Sequence, residues 1–316
     1  MEIPEIHLPS PRQLAAEFGL VQHRGLGQCF LDNHRTLDRI VGAAKIEPET
    51  AVIEIGAGPG YLTARIVRRT RRIWAIEIDQ RMRPIHERYF GSLEPPVNFI
   101  YGDALRLNWA GLLAQIGEKR GTGFQPVENH GQDAHATTAP YMVVGNIPYQ
   151  ITSPLIEVLL NLVPAPQRCV LLVQCEFAER LAARPGRRAY GALTVKTALV
   201  ADVQQALFVP RQRFEPRPRV DAAAIVIEPR RPPRIEPARL PAAFSLIEAC
   251  FTQRRKKIVN SLLDSRRLGE NRETILALLS QAEIDPSRRP ETLAVEEFLR
   301  LLEAVERSGT KSSFAS

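Results

Sequence analysis

The chain has 316 residues, 44% apolar and 24% charged, with a formal net charge of +7. That composition excludes a mainly disordered, collagenous or coiled-coil protein, and the length suggests about two domains. No stretch offers the ~18 uninterrupted apolar residues of a membrane span, and the acidic, proline-bearing start does not read as a secretory signal.

Residues 1–20 read as a flexible arm. From His34 to Ala44, the apolar residues Leu37, Ile40, Val41 and Ala44 follow helix spacing. Ala51 to Ile55 is an apolar run that ends in glycines, which predicts a buried strand. Tyr61 to Arg71 returns to helix spacing. Further strands are expected at Arg72–Ile78, Val97–Tyr101, Tyr141–Gly145, Cys169–Gln174 and Ala223–Ile227. Strands alternating with helices predict an α/β fold with a mostly parallel, doubly wound sheet.

The stretch 117–140 is polar and without periodicity, so it reads as an inserted surface loop. Its His130 and His135 lack a supporting cysteine or scaffold, and no metal site is expected. Pro229 to Pro241 reads as a stiff linker. Beyond it, helical patterns at 242–263, 273–282 and 291–305 predict a smaller all-α domain over 242–307, with a frayed tail at 308–316. The first domain then spans 21–228.

Cys29, Cys169, Cys175 and Cys250 form no C-x-x-C pair, which argues against a zinc ribbon or a disulfide framework and fits a reducing cytoplasm. The positive charge is mostly arginine, and basic proteins of this kind often meet phosphate. Local basic runs are Arg187–Arg188, the group Arg211, Arg213, Arg217 and Arg219, the group Arg230, Arg231 and Arg234, and Arg254–Lys257, the last expected on a helix. Such residues neutralise phosphates without reading sequence. Phe177 and Phe208 read as core.

Three strand ends carry the chemistry. Glu54-Ile55-Gly56-Ala57-Gly58-Pro59-Gly60 is a strand entering a glycine turn that opens a helix, with G-x-G-x-G spacing rather than the dinucleotide G-x-G-x-x-G. Such a loop suits the amino-acid part of S-adenosylmethionine, which has no pyrophosphate. Glu77 ends the next strand, where a carboxylate accepts from both ribose hydroxyls, and Asp103 ends the third, placed for the adenine amino group. The fourth ends in Asn146-Ile147-Pro148-Tyr149. A conjugated amine is a poor nucleophile. The Asn146 side-chain oxygen and the Pro148 carbonyl can hold its two N–H groups so that the lone pair faces the methyl donor. Tyr149 offers a stacking face.

Leu26 to Leu31 (LGQCFL), Glu54 to Gly60 and Asn146 to Pro154 together resemble the KsgA group of ribosomal RNA adenine N6,N6-dimethyltransferases. Gln174 to Leu181, Ala189 to Leu193, Phe214 to Asp221, Phe251 to Leu262 and Arg289 to Leu302 resemble further segments of that family. The resemblance implies a Rossmann-like methyltransferase fold with S-adenosylmethionine as cofactor. It implies cofactor contacts at Cys29, Leu31, Gly56, Glu77, Asp103, Ala104 and Asn146. Asn146 and Pro148 would hold the target N6, with Tyr149 and Phe214 sandwiching a flipped adenine. The family usually has Asn at Cys29, Lys at Cys175 and Leu at Ile147.

The implied reaction is dimethylation of two adjacent adenosines in a hairpin near the 3′ end of 16S rRNA. The implied partner is small-subunit rRNA or a pre-30S particle, and the setting is a cytoplasmic monomer with no membrane association. The alternatives are a large-subunit rRNA methylase of the macrolide-resistance type, a methylase of DNA adenine or protein glutamine, and a non-catalytic RNA-binding assembly factor. DNA and glutamine enzymes usually carry Pro where this chain has Ile147.

Overall fold

The computed structural model describes residues 5–20, 27–117, 140–253, 255–269 and 271–309. In chain order its elements are α1 (Pro11–Glu17), β1 (Phe30–Leu31), α2 (His34–Ala44), β2 (Ala51–Ile55), α3 (Thr63–Ile66), β3 (Ile73–Glu77), α4 (Arg83–Phe90), β4 (Asn98–Tyr101), α5 (Trp109–Gly117), β5 (Tyr141–Asn146), α6 (Thr152–Leu160), β6 (Arg168–Gln174), α7 (Cys175–Leu181), α8 (Ala192–Val200), β7 (Ala201–Val209), β8 (Phe214–Glu215), β9 (Ala222–Pro229), α9 (Leu240–Cys250), α10 (Ile258–Ser265), α11 (Arg272–Gln281) and α12 (Val295–Arg307).

The main sheet has seven strands in the order β4-β3-β2-β5-β6-β9-β7. The pairs from β4 through β6 are parallel, and β9 runs antiparallel to β6. This is the Rossmann-like, mostly parallel sheet expected. Both β2 and β3 are buried along their whole length, as strands covered on two faces must be. The order runs outward from β2 to β4 and then jumps back to β5 on the other side of β2. The crevice at the carboxyl ends of β2 and β5 is therefore a topological switch point, where open α/β sheets bind ligands.

Several local expectations change. Part of the arm is ordered: Ser10 caps α1 in a capping box with Gln13, Pro11 starts the helix, and Leu14 is buried in the core. The helix expected over 61–71 is a single turn, α3. Thr70 ends it by donating its hydroxyl to the carbonyls of Pro48 and Thr50, which steers the chain toward β3. The helix expected over 242–263 is two, α9 and α10. The turn between them is held by Ser261 Oγ donating to the Gln253 carbonyl at 3.1 Å and by Ile258 N donating to that of Arg288 at 2.8 Å. Arg255 to Lys257 thus lie in a turn rather than on a helix, and Arg254 lies outside the described residues. Phe177 is buried, but Phe208 is 54% exposed, because its neighbours Leu207 and Val209 take the inward positions of β7.

The chain divides into two compact units, Met1–Ala178 with Gln204–Glu228, and Glu179–Val203 with Pro229–Ser316. Glu179–Val203 therefore groups with the helical unit and not with the rest of 21–228. Within that unit Lys196, buried on α8, pairs with Glu248 on α9 at 2.5 Å, and Arg230 N donates to the Val200 carbonyl. The linker ends earlier than expected, since α9 begins at Leu240. Of the inserted loop, 118–139 lies outside the described residues, and His130 and His135 with it. So does Leu26 and most of the tail. Among the described residues no helix is long and apolar enough to cross a membrane.

Candidate active site

At the switch point a cleft of about 410 Å3 opens, lined by residues from the ends of β2, β3, β4 and β5 and from the β1 and β8 segments. Every expected site residue lines it: Cys29, Leu31, Gly56, Glu77, Asp103, Ala104, Asn146, Pro148, Tyr149 and Phe214.

The glycine loop after β2 is held from several sides. Gly56 has φ +76°, and a Cβ there would stand 2.8 Å from the Asn146 carbonyl, so the turns after β2 and β5 approach as only glycine allows. Glu77 Oε2 accepts from Gly58 N at 2.7 Å, and Oε1 accepts from Asp79 N at 2.8 Å. Burial raises the Glu77 carboxyl above its ordinary range, and these two bonds work against that. Each oxygen keeps a second lone pair for a ligand hydroxyl.

The carbonyl of the same glycine is held by a residue the sequence did not single out. His86 Nε2 lies 2.7 Å from Gly58 O and Nδ1 lies 2.8 Å from Tyr101 Oη. A carbonyl only accepts, so Nε2 carries the proton and Nδ1 accepts from the tyrosine hydroxyl. Burial pushes His86 down to about 4, which keeps the ring neutral, and it stacks on Phe99 at 3.8 Å. A second unflagged contact is Gln28 Nε2 donating to Asp79 Oδ2 at 2.9 Å, which ties the segment before β1 to the end of β3. The Arg81 side-chain bond holds Asp79 down at about 2. Ile78 also lines the cleft and is 47% exposed, an apolar face of the sort that receives a planar group.

Glu54, two positions before the first glycine of the loop, is fully buried. Its Oε2 accepts from Thr63 Oγ1 at 2.6 Å and its Oε1 has no partner among the described residues. Burial pushes its carboxyl up to about 8, so it is mostly protonated at neutral pH.

The acceptor side is held by fewer bonds. Asn146 Nδ2 donates to the Cys29 carbonyl at 3.0 Å. That carbonyl fixes which way the amide points and leaves Oδ1 to accept from a substrate. Cys29 thus acts on the site through its backbone, while burial raises its thiol above the ordinary range. The Pro148 carbonyl accepts from Ile151 N at 3.1 Å and from Thr152 Oγ1 at 3.4 Å. With two lone pairs, it can take an amine proton only in competition with the weaker Thr152 contact. The Tyr149 hydroxyl is buried without a hydrogen-bond partner among the described residues, and burial raises it to about 12.

Phe214 reaches the cleft by non-local pairing. β8 pairs antiparallel with β1, setting Phe214 opposite Leu31 and Glu215 opposite Phe30. Asp103 Oδ1 accepts from Leu105 N at 2.9 Å, and Ala104 lies beside it with its carbonyl bound by the Trp109 indole at 3.0 Å. An apolar cleft with a glycine cradle and acids at two successive strand ends fits an adenosine bearing an amino-acid tail. S-Adenosylmethionine is such a molecule. Among the described residues no cluster of His, Cys, Asp or Glu has metal-binding geometry.

The family model described as ribosomal RNA adenine dimethylase matches residues 20–306. A ribosomal RNA small subunit methyltransferase A of Anoxybacillus flavithermus is 36% identical over 92% of this chain and 93% of its own length. The protein of the same name from Geobacillus sp. is 34% identical over 93% and 95%. Among solved structures, a dimethyladenosine transferase from Plasmodium falciparum superposes with TM-score 0.67 and 26% identity, over 89% of this chain and 98% of its own. The 23S rRNA methyltransferase ErmE gives TM-score 0.60 and 28% identity over 88% and 99%. With a family match along almost its whole length and a cleft lined by every expected site residue, the chain belongs to the ribosomal RNA adenine dimethylases.

Proposed function

We propose that the protein is an S-adenosylmethionine-dependent enzyme that dimethylates N6 of two adjacent adenosines in the 3′-terminal hairpin of 16S rRNA, on the rRNA or a pre-30S particle. The observation that carries this reading is one cleft in which Asn146, Tyr149 and Phe214 face Glu77 and Asp103 across the switch point. The curated relatives named as small-subunit enzymes support that target over the large-subunit one. The four free cysteines fit a cytoplasmic setting.

When bound, S-adenosylmethionine supplies an electrophilic methyl group on a sulfonium. Gly56 and Gly58 leave room for its amino-acid end, Glu77 accepts from the ribose hydroxyls, and Asp103 beside Ala104 and Ile78 receives the adenine. Leu31, Cys29 and Asn146 complete the wall. On the acceptor side Tyr149 and Phe214 stack an extruded adenine. Asn146 Oδ1 accepts one N6 proton, and the Pro148 carbonyl takes the other as Thr152 yields. Held by two acceptors, the nitrogen turns its lone pair out of the ring's conjugation, so orientation and electrostatics serve in place of a strong base. As the methyl–sulfur bond breaks and the methyl–N6 bond forms, the nitrogen becomes cationic and sheds one proton to water, and the remaining N–H turns to Asn146 Oδ1 for the second transfer.

The test is methyl incorporation from labelled S-adenosylmethionine into purified small- and large-subunit particles from cells lacking the gene, with mass mapping of the product. Dimethyladenosine in small-subunit rRNA alone is expected. Incorporation only into large-subunit rRNA, or none with either particle, overturns the reading.

A further inference from the structure

Beside the cleft, next to the β1–β8 pair, lies a groove lined by Asp32, Asn33, His34, Arg35, Arg39 and Arg213, together with Thr36. Its charged residues come from two distant stretches. Arg35 and Arg39 sit four residues apart on the first turns of α2 and so share a face. Arg213 ends the 3-10 turn Arg211–Arg213 and directly precedes Phe214. The antiparallel register that sets Leu31 opposite Phe214 carries Asp32 and Arg213 to the next position of the same pair. Leu31 and Phe214 line the cleft, while Asp32 and Arg213 line the groove, so the two recesses share one wall.

The side chains of Arg35, Arg39 and Arg213 are exposed and make no ion pair or hydrogen bond among the described residues. Other arginines of the same unit are paired: Arg65 with Asp38, Arg168 with Glu228, and Arg88 with Glu17. Three guanidinium groups thus face a single carboxylate, Asp32, which pairs with none of them. The positive end of α2 points the same way, with Asn33 as its cap. Three like charges beside one carboxylate leave the groove net positive, and an external polyanion relieves the repulsion among them. Guanidinium forks match phosphate oxygens in shape as well as charge.

We propose that Arg35, Arg39 and Arg213 form a cradle for the backbone phosphates of the acceptor RNA strand, flanking the nucleotide whose base enters between Tyr149 and Phe214. This rests on the RNA-methylating reading above. The cradle positions the strand without reading sequence, and it enlists two arginines that precede the catalytic strand by more than a hundred residues.

The experiment uses the full chain and unmethylated small-subunit particles. Binding is measured against salt concentration for the wild type, for Arg35→Gln/Arg39→Gln/Arg213→Gln, for the corresponding triple Lys variant, and for Arg69→Gln, an exposed arginine outside the groove. Each lost phosphate contact lowers the slope of log K against log salt by about 0.7–0.9. The triple Gln variant should lose a slope of about two and raise KM for particles roughly tenfold or more, with kcat within about twofold. Its calorimetric affinity for S-adenosylmethionine should be unchanged. The Lys variant should recover the slope, and Arg69→Gln should keep it. An unchanged slope and KM in the triple Gln variant, or an equal loss with Arg69→Gln, overturns the cradle. Wild-type protein that binds particles with the groove-dependent slope but transfers no methyl group overturns the proposed reaction and leaves the cradle standing.

Discussion

The two sides of the cleft are built differently. On the donor side, the Gly58 peptide is clamped at both ends, its N–H by Glu77 and its carbonyl by His86, and His86 is itself stacked and bonded to Tyr101. On the acceptor side, among the described residues, Asn146 has one side-chain bond, Pro148 shares its carbonyl with a weak contact, and the Tyr149 hydroxyl has no partner. Fixed polar groups cost no reorganisation when a ligand arrives, which suits a small cofactor of constant shape. Spare polar capacity suits a base that must enter, react and turn before reacting again. The difference shows where binding energy is preorganised and where it is held back for the substrate.

The largest effect that would test this contrast is at Asn146. Asn146→Ala should lower kcat by about 10²–10³-fold while RNA binding is retained, read by single-turnover methylation beside particle binding. A variant that dimethylates at the normal rate would show that Oδ1 does not hold N6.

On the donor side, His86→Phe keeps the stacking shape and strands the Gly58 carbonyl and Tyr101 hydroxyl, so stability should fall by about 1–3 kcal/mol in urea titrations. His86 also sets a pH dependence. Its ordinary value is 6.5 and its folded value about 4, so between those pH values the unfolded chain binds the extra proton. The wild type should therefore lose stability as pH falls from 6.5 through 4, by about 3 kcal/mol at most, relative to the Phe variant. Glu54 acts with the opposite sign. Its folded value of about 8 lies above the ordinary 4.5, so its contribution is full below 4.5 and fades as pH rises through 8. Glu54→Gln should flatten that arm, and an unchanged profile would mean that the buried carboxyl is ionised.

Smaller still, Glu77→Gln turns a donor toward one of two backbone N–H groups, and affinity for S-adenosylmethionine should fall about tenfold by calorimetry. At the low end, Cys29→Ser leaves the carbonyl that orients Asn146 in place. Activity should stay within about twofold, and a larger loss would give the thiol a role of its own.

Much of the donor side was legible in the sequence because its signals are local. A short, largely apolar run such as Ala51–Ile55 reads as a doubly covered strand, and the glycines at its end as a turn. Glu77 and Asp103 follow from where strands stop. Asn146 to Tyr149 was legible for the same reason. What escaped depends on distance along the chain. Phe214 could be placed only by family resemblance, since no spacing rule predicts the β1–β8 pair that delivers it. His86 is one polar residue on the apolar face of α4, and nothing in its neighbourhood says that Gly58 lies opposite. The helix boundaries at 61–71 and 242–263 failed where side-chain hydroxyls and tertiary backbone bonds, invisible to periodicity, end a turn early.

The ordered amino-terminal segment has a practical consequence. The Pro9 carbonyl accepts from Tyr61 Oη at 2.6 Å, and Arg12 reaches Glu215, the residue after Phe214, at 3.3 Å. Losing this segment therefore removes one tie to Tyr61 and one to the short strand that carries Phe214. A preparation trimmed past Arg12 with weak turnover would report on that mechanical linkage before it reported on chemistry.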